Sequence, residues 1–172
     1  DADYYQAIRY LYKGIELAQQ KRNRRQYGLM LSQLANTYYL KRDGGGLKYA
    51  LESYELGCEL NDSYLIYSGA IQSAYMYFLN KQHTQAMAYV QEAETLMKKN
   101  NFYDQAHTFN LLGQLLYELG NYPQSIEYYR KAMKDKQTSQ TSSVIYAYLG
   151  YARVLMKQNN YQEATTLLKQ GI

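Results

Sequence analysis

Asn36, Tyr75, Gln114 and Arg153 follow one another at intervals of 39 residues. Two side-chain amides, a phenol and a guanidinium do no covalent chemistry by themselves. They donate and accept hydrogen bonds, and the guanidinium fork matches a carboxylate, so the chemistry on offer is recognition. Residue types that break bonds are scarce. His83 and His107 are the only histidines, and neither stands near a cysteine, a carboxylate pair or a serine motif in sequence. HExxH, GxSxG and Cys/His metal spacings are all missing. The glycine run 44–46 lacks the Lys and Ser/Thr of a phosphate-cradling loop, so it reads as a turn. Cys58 falls on the expected buried stripe of a helix, where a thiol serves as a small hydrophobe. No catalytic residue, cofactor or metal is expected, and the chain does not read as an enzyme.

The elements that position these residues recur. LANTYYL (34–40), SAYMYFL (73–79), LGQLLYE (112–118) and YARVLMK (151–157) are almost interchangeable segments at the same period. A period of about 20–50 residues marks a repeat array, in which one supersecondary unit is stacked several times. Such arrays leave a long binding face, because each unit contacts only its neighbours. The composition agrees. Of 172 residues, 23 are Tyr, three Phe and none Trp. Tyrosine buries its ring while its hydroxyl seeks a partner, which suits thin two-layer structures. A single Pro, with abundant Leu, Ala, Gln, Glu and Lys, favours helix over strand.

The clearest unit is TFNLLGQLLYELGNYPQSIEYYRKAM (108–133). Phe109, Leu112, Leu116 and Leu119 share one side of a first helix. Gly120-Asn121 ends it, Pro123 sits in the first turn of the next, and Ile126, Tyr129 and Met133 form a second stripe. A short connection between two such helices forces them antiparallel. In order, Phe109, Leu112-Gly113, Leu116, Gly120, Tyr122, Ser125, Tyr129 and Ala132 resemble the tetratricopeptide repeat (TPR) family; the family's closing Pro is missing, with Gln137 nearest its place. The same frame runs through 25–60, 63–99, 102–135 and 142–172, and residues 3–20 match a second helix alone. The resemblance implies an all-α, right-handed TPR superhelix, an α-solenoid of about four helical hairpins plus one leading helix, forming a single array over 1–172. The period exceeds the family's usual one of about 34, which implies longer second helices or longer links such as 134–144. RDGGG (42–46) is expected to be a longer, mobile turn. The long-repeat style is similar to TPR regions of bacterial sensory and regulatory proteins. The chain opens on Asp1 rather than Met and closes on Ile172 within a helical pattern, and is read as a piece of a longer protein. Leu167, Leu168 and Ile172 then await a following repeat or a second copy, and flanking repeats or a signalling module are expected in the parent chain.

In the TPR family the first helices line a concave groove. That likeness implies four ligand-facing columns here. They are Leu29, Ser32, Asn36 and Tyr39; Ser68, Ile71, Tyr75 and Phe78; His107, Asn110, Gln114 and Tyr117; and Tyr146, Leu149, Arg153 and Met156. Exposed Tyr39, Tyr75, Phe78, Tyr117 and Tyr146 would anchor a protein or peptide ligand. Asn36, Asn110 and Gln114 would orient its backbone, and Arg153 would receive a carboxylate. The competing reading packs these tyrosines internally, as an architectural or self-association module. The family's carboxylate clamp is not supported, because Ser32 stands where a basic residue is needed.

Charge narrows the partners. A formal +4 is compatible with nucleic acid but does not require it. A nucleic-acid scaffold would need the run KRNRR (21–25) to join Lys98, Lys99, Lys131 and Lys134 in a basic edge. Otherwise the run is a solvated helix junction. No stretch is apolar enough to insert in a membrane, no signal peptide is seen, and a lone Cys leaves the compartment undecided between cytoplasm and periplasm.

Overall fold

The computed structural model describes residues 2–102, 105–134 and 141–171. Among them nine α-helices and one 3-10 turn form, without a strand. The helices are α1 (Ala2–Gln20), α2 (Arg24–Leu40), α3 (Leu47–Leu60), α4 (Ser63–Leu79), α5 (His83–Asn100), α6 (Gln105–Glu118), α7 (Tyr122–Lys134), α8 (Thr141–Lys157) and α9 (Tyr161–Gln170); the 3-10 turn is Gly44–Gly46. The all-α stack of hairpins behind a leading helix is therefore what forms.

Helix ends follow one device. Arg22, Arg42, Asn61, Lys81, Asn101, Gly120 and Asn159 take left-handed backbone, with φ between 51° and 78°. The conformation strains a residue with a Cβ by about 1–2 kcal/mol. It is offset because the next amide reaches back five residues, as Asn23 N–H does to the Ala18 carbonyl and Asp62 N–H to that of Gly57. That same next residue frequently opens the following helix. Asn23, Asp62 and Asn160 accept hydrogen bonds from the amides of Gln26, Leu65 and Glu163. Burial pushes the Asp62 carboxyl up, but the Leu65 amide, the Arg25 guanidinium and the Tyr64 amide outweigh it and hold its pKa below the ordinary 3.8.

The molecule contains two compact units, residues 1–100 and 101–172. In the first, α1 to α5 pack in sequence, and the first helices α2 and α4 also touch directly. In the second, α6 to α9 do the same, with α6 against α8. Small residues permit the close approaches. Ser53 and Ser125 are fully buried and donate to the carbonyls of Gly28 and Gly113. Tyrosine hydroxyls tie successive second helices together at their edges. Tyr12 and Tyr49 share a 2.6 Å hydrogen bond between α1 and α3, and Tyr54 donates to Glu92 at 2.9 Å between α3 and α5. The abundance of Tyr over Phe follows from this arrangement.

Three expectations need correction. The RDGGG segment is not an open loop: Asp43 caps it by accepting from the Gly45 amide at 3.0 Å, and Gly46 is buried against Tyr38 and Met76. Cys58 is exposed. The buried stripe of α3 runs through Ala50, Ser53, Leu56 and Gly57, and Cys58, one residue on, is rotated out of it. Leu167 is already buried within the second unit, although no further hairpin follows it in this sequence. Most of the 134–144 link and Ile172 lie outside the described residues.

Candidate functional site

The four expected columns meet different fates, and each unit is considered separately. In the first unit, Tyr75 is only 7% and Ile71 only 3% exposed. The exposure expected of both is not found. The reason is the position of α4, which is packed by α2, α3, α5 and the 3-10 turn, so that little of its surface remains open. Tyr39 lies half-buried against Tyr75, with ring centroids 4.5 Å apart at 40°. Ser32 and Ser68 share a 2.6 Å hydrogen bond. Phe78, half-buried, stacks on His83 at 5.6 Å. Asn36 and Leu29 are half-buried on α2.

In the second unit, the column on α6 is half-buried throughout: His107, Asn110, Gln114 and Tyr117. The Asn110 amide donates to the Ser143 carbonyl at 2.7 Å, and its Oδ1 is buried without a hydrogen-bond partner. Asn110 thereby clasps α6 to the first turn of α8. Arg153 has an internal carboxylate: its Nη2 lies 3.2 Å from Oε1 of Glu118, and its guanidinium stands 4.4 Å from the centre of the Tyr117 ring. That pair is largely solvent-exposed and contributes at most about 1 kcal/mol to stability. A ligand carboxylate can displace Glu118 at small cost.

What stands clear is the rest of the α8 column. Tyr146 is 65% exposed, Leu149 51% and Met156 45%. Their spacing of three, seven and ten residues puts them with Arg153 on one stripe. Large apolar groups aligned around a held guanidinium do not serve the hairpin core, which α8 builds from Ala147, Tyr151, Ala152, Val154 and Leu155.

Sequence reasoning missed Glu118 as the partner of Arg153. Its only signal was an acidic residue directly after Tyr117 at the end of α6. The cations of 21–25 also acquire partners. Arg24 pairs with Glu59, and Arg25 lies 2.5 Å from Asp62. Lys98 and Lys131 pair with Glu94 and Glu127 on their own helices. The basic edge is therefore partly neutralised, and the run at 21–25 is a helix junction.

Among the described residues no cluster of three or more His, Cys, Asp or Glu is placed to hold a metal, and no helix is long and apolar enough to cross a membrane. Models of the tetratricopeptide repeat match residues 66–138 and 110–171. Among solved structures, the crystal structure of BtubC (BKLC) from P. vanneervenii is similar, with a TM-score of 0.78 and 15% identity over 98% of this chain and 72% of that one. At such identity the likeness shows the fold alone. No curated protein sequence matches the chain.

Proposed function

This chain belongs to the tetratricopeptide repeat family, and from that premise we propose that it is a non-catalytic scaffold holding a protein or peptide against the α8 face, as the interaction region of a larger bacterial regulator. Repeats of this family generally mediate protein–protein interaction and scaffolding, without catalysis. The single observation carrying the reading is the exposed stripe of Tyr146, Leu149 and Met156 around Arg153. Rigid aromatic and apolar anchors beside an arginine are the composition that binding hot spots favour. The half-buried Gln114 and Tyr117 on α6 border that stripe through Arg153, and complete a shelf for an extended or helical segment.

The first unit supports the architectural alternative for its own columns. Its tyrosines and serines satisfy one another between α2 and α4, leaving the same columns less to offer a ligand. The nucleic-acid alternative draws less support, since four of its cations already carry carboxylate partners.

The variant Tyr146→Ser tests the reading. It is expected to melt with the native chain, because the ring is exposed, yet to weaken capture of the bound partner from source-cell lysate about thirtyfold, the equivalent of a 2 kcal/mol hot spot. Undiminished capture by the variant would remove the α8 face from consideration.

A further inference from the structure

A second concavity opens in the first unit, where the end of α1, the start of α2 and α3 meet. It is a cleft of about 610 Å³, within the size range of small-ligand pockets. Ala18 and Leu56, both buried, and the half-buried ring of Tyr27 give it apolar walls. Glu52, Glu55 and Glu59 enter it from successive turns of α3. Their surroundings set them apart. Glu59 holds Arg24 in an ion pair. Glu52 accepts the Tyr27 hydroxyl, and that hydrogen bond, with burial and the carboxylate's charge, pushes the phenol up to about 12. Glu55 takes part in none of the ion pairs among the described residues. The cleft thus offers an apolar wall beside one uncommitted carboxylate and a second that still has acceptor capacity.

We propose that this cleft docks an arginine or lysine side chain of a partner polypeptide, its alkyl stem against Ala18 and Leu56 and its cationic head between Glu55 and Glu52. Charge complementarity selects the occupant. A long basic side chain is apolar along its stem and cationic at its tip, which is the order in which the cleft presents its groups. An acidic segment is disfavoured by the same carboxylates. The site lies in the first unit and is distinct from the α8 stripe, so the two readings stand or fall separately.

The test uses a fluorescein-labelled hexapeptide of alternating arginine and leucine, with the glutamate–leucine hexapeptide as its counterpart, read by fluorescence anisotropy at low salt. Glu55→Lys reverses the charge in the cleft. Glu16→Lys makes the same change in net charge on an exposed position of α1 that does not line it. The proposal expects the arginine peptide to bind, the glutamate peptide not to, and Glu55→Lys to weaken binding about tenfold while Glu16→Lys stays within about twofold. Equal weakening by the two variants, or no binding of the arginine peptide to the native chain, overturns it. Both substitutions are at exposed positions, and matching melting curves confirm that any loss is local.

Discussion

Tyr129→Ala is expected to lower the unfolding free energy of the second unit by about 3–5 kcal/mol, as removal of a buried aromatic ring does. Tyr129 rises from α7 and is 5% exposed. Its ring is inserted between two glycines, Gly113 on α6 and Gly150 on α8. A Cβ added at Gly113 would lie 2.9 Å from Cε1 of the ring, and one at Gly150 only 2.3 Å from it. Both first helices have thus given up a side chain to seat the ring of the second helix between them. Burial pushes the phenol's pKa well above its ordinary value, so the ring stays neutral at any physiological pH. Deleting it opens a cavity that two rigid helix backbones cannot close. Denaturant melts of native chain and variant measure the loss, and a difference under about 1 kcal/mol contradicts the packing described.

Gly69→Ala is the second large effect. Here α4 crosses α3 so closely that an added Cβ would sit 2.5 Å from both the Cα and the amide nitrogen of Tyr54. The obstruction is backbone, and no rotamer change relieves it. The helices must separate along the interface that carries the first unit's core, at an expected cost of about 3 kcal/mol. Gly120 provides the comparison. It has φ of +78° but open space around its Cβ position, so Gly120→Ala meets only the left-handed strain of about 1–2 kcal/mol. Parallel urea melts should rank Gly69→Ala clearly below Gly120→Ala. Equal losses would mean that α3 and α4 can part without penalty.

The hairpins were legible in the sequence because two signals coincide at each: an apolar stripe at helical spacing, and a breaker about every 15–20 residues. Gly120 and Pro123 announced the α6–α7 turn openly. The other turns use Arg22, Arg42, Lys81 or an Asn in the left-handed conformation, and a basic residue there carries no turn signal of its own. Contacts between hairpins were less legible than the period suggests. The period is 39 residues, yet Ser32 meets Ser68 at a separation of 36, and Glu118 meets Arg153 at 35. Each helix touches its successor about one turn behind the equivalent position, so a column of equivalent residues is not a column of contacts.

Exposure was the least legible property. Tyr75 and Tyr146 both fall in expected ligand-facing columns, and one is buried while the other is largely open. Helical spacing says which residues share a face. It does not say whether a neighbouring helix covers that face, since that depends on where each hairpin sits in its unit. The same limit hid Glu118, because an ion pair between α6 and α8 becomes visible only once their relative register is known.

The central claim is that the α8 stripe is the face that meets a partner, and site-specific photocrosslinking tests it most directly. A benzophenone side chain is placed at position 146, on the stripe, or at position 161, where Tyr161 is equally exposed on the second helix α9. Irradiation in source-cell lysate is followed by identification of the adducts. The account predicts a discrete adduct from position 146 and none of the same mass from position 161. Adducts shared by both positions, or formed from 161 alone, would contradict it.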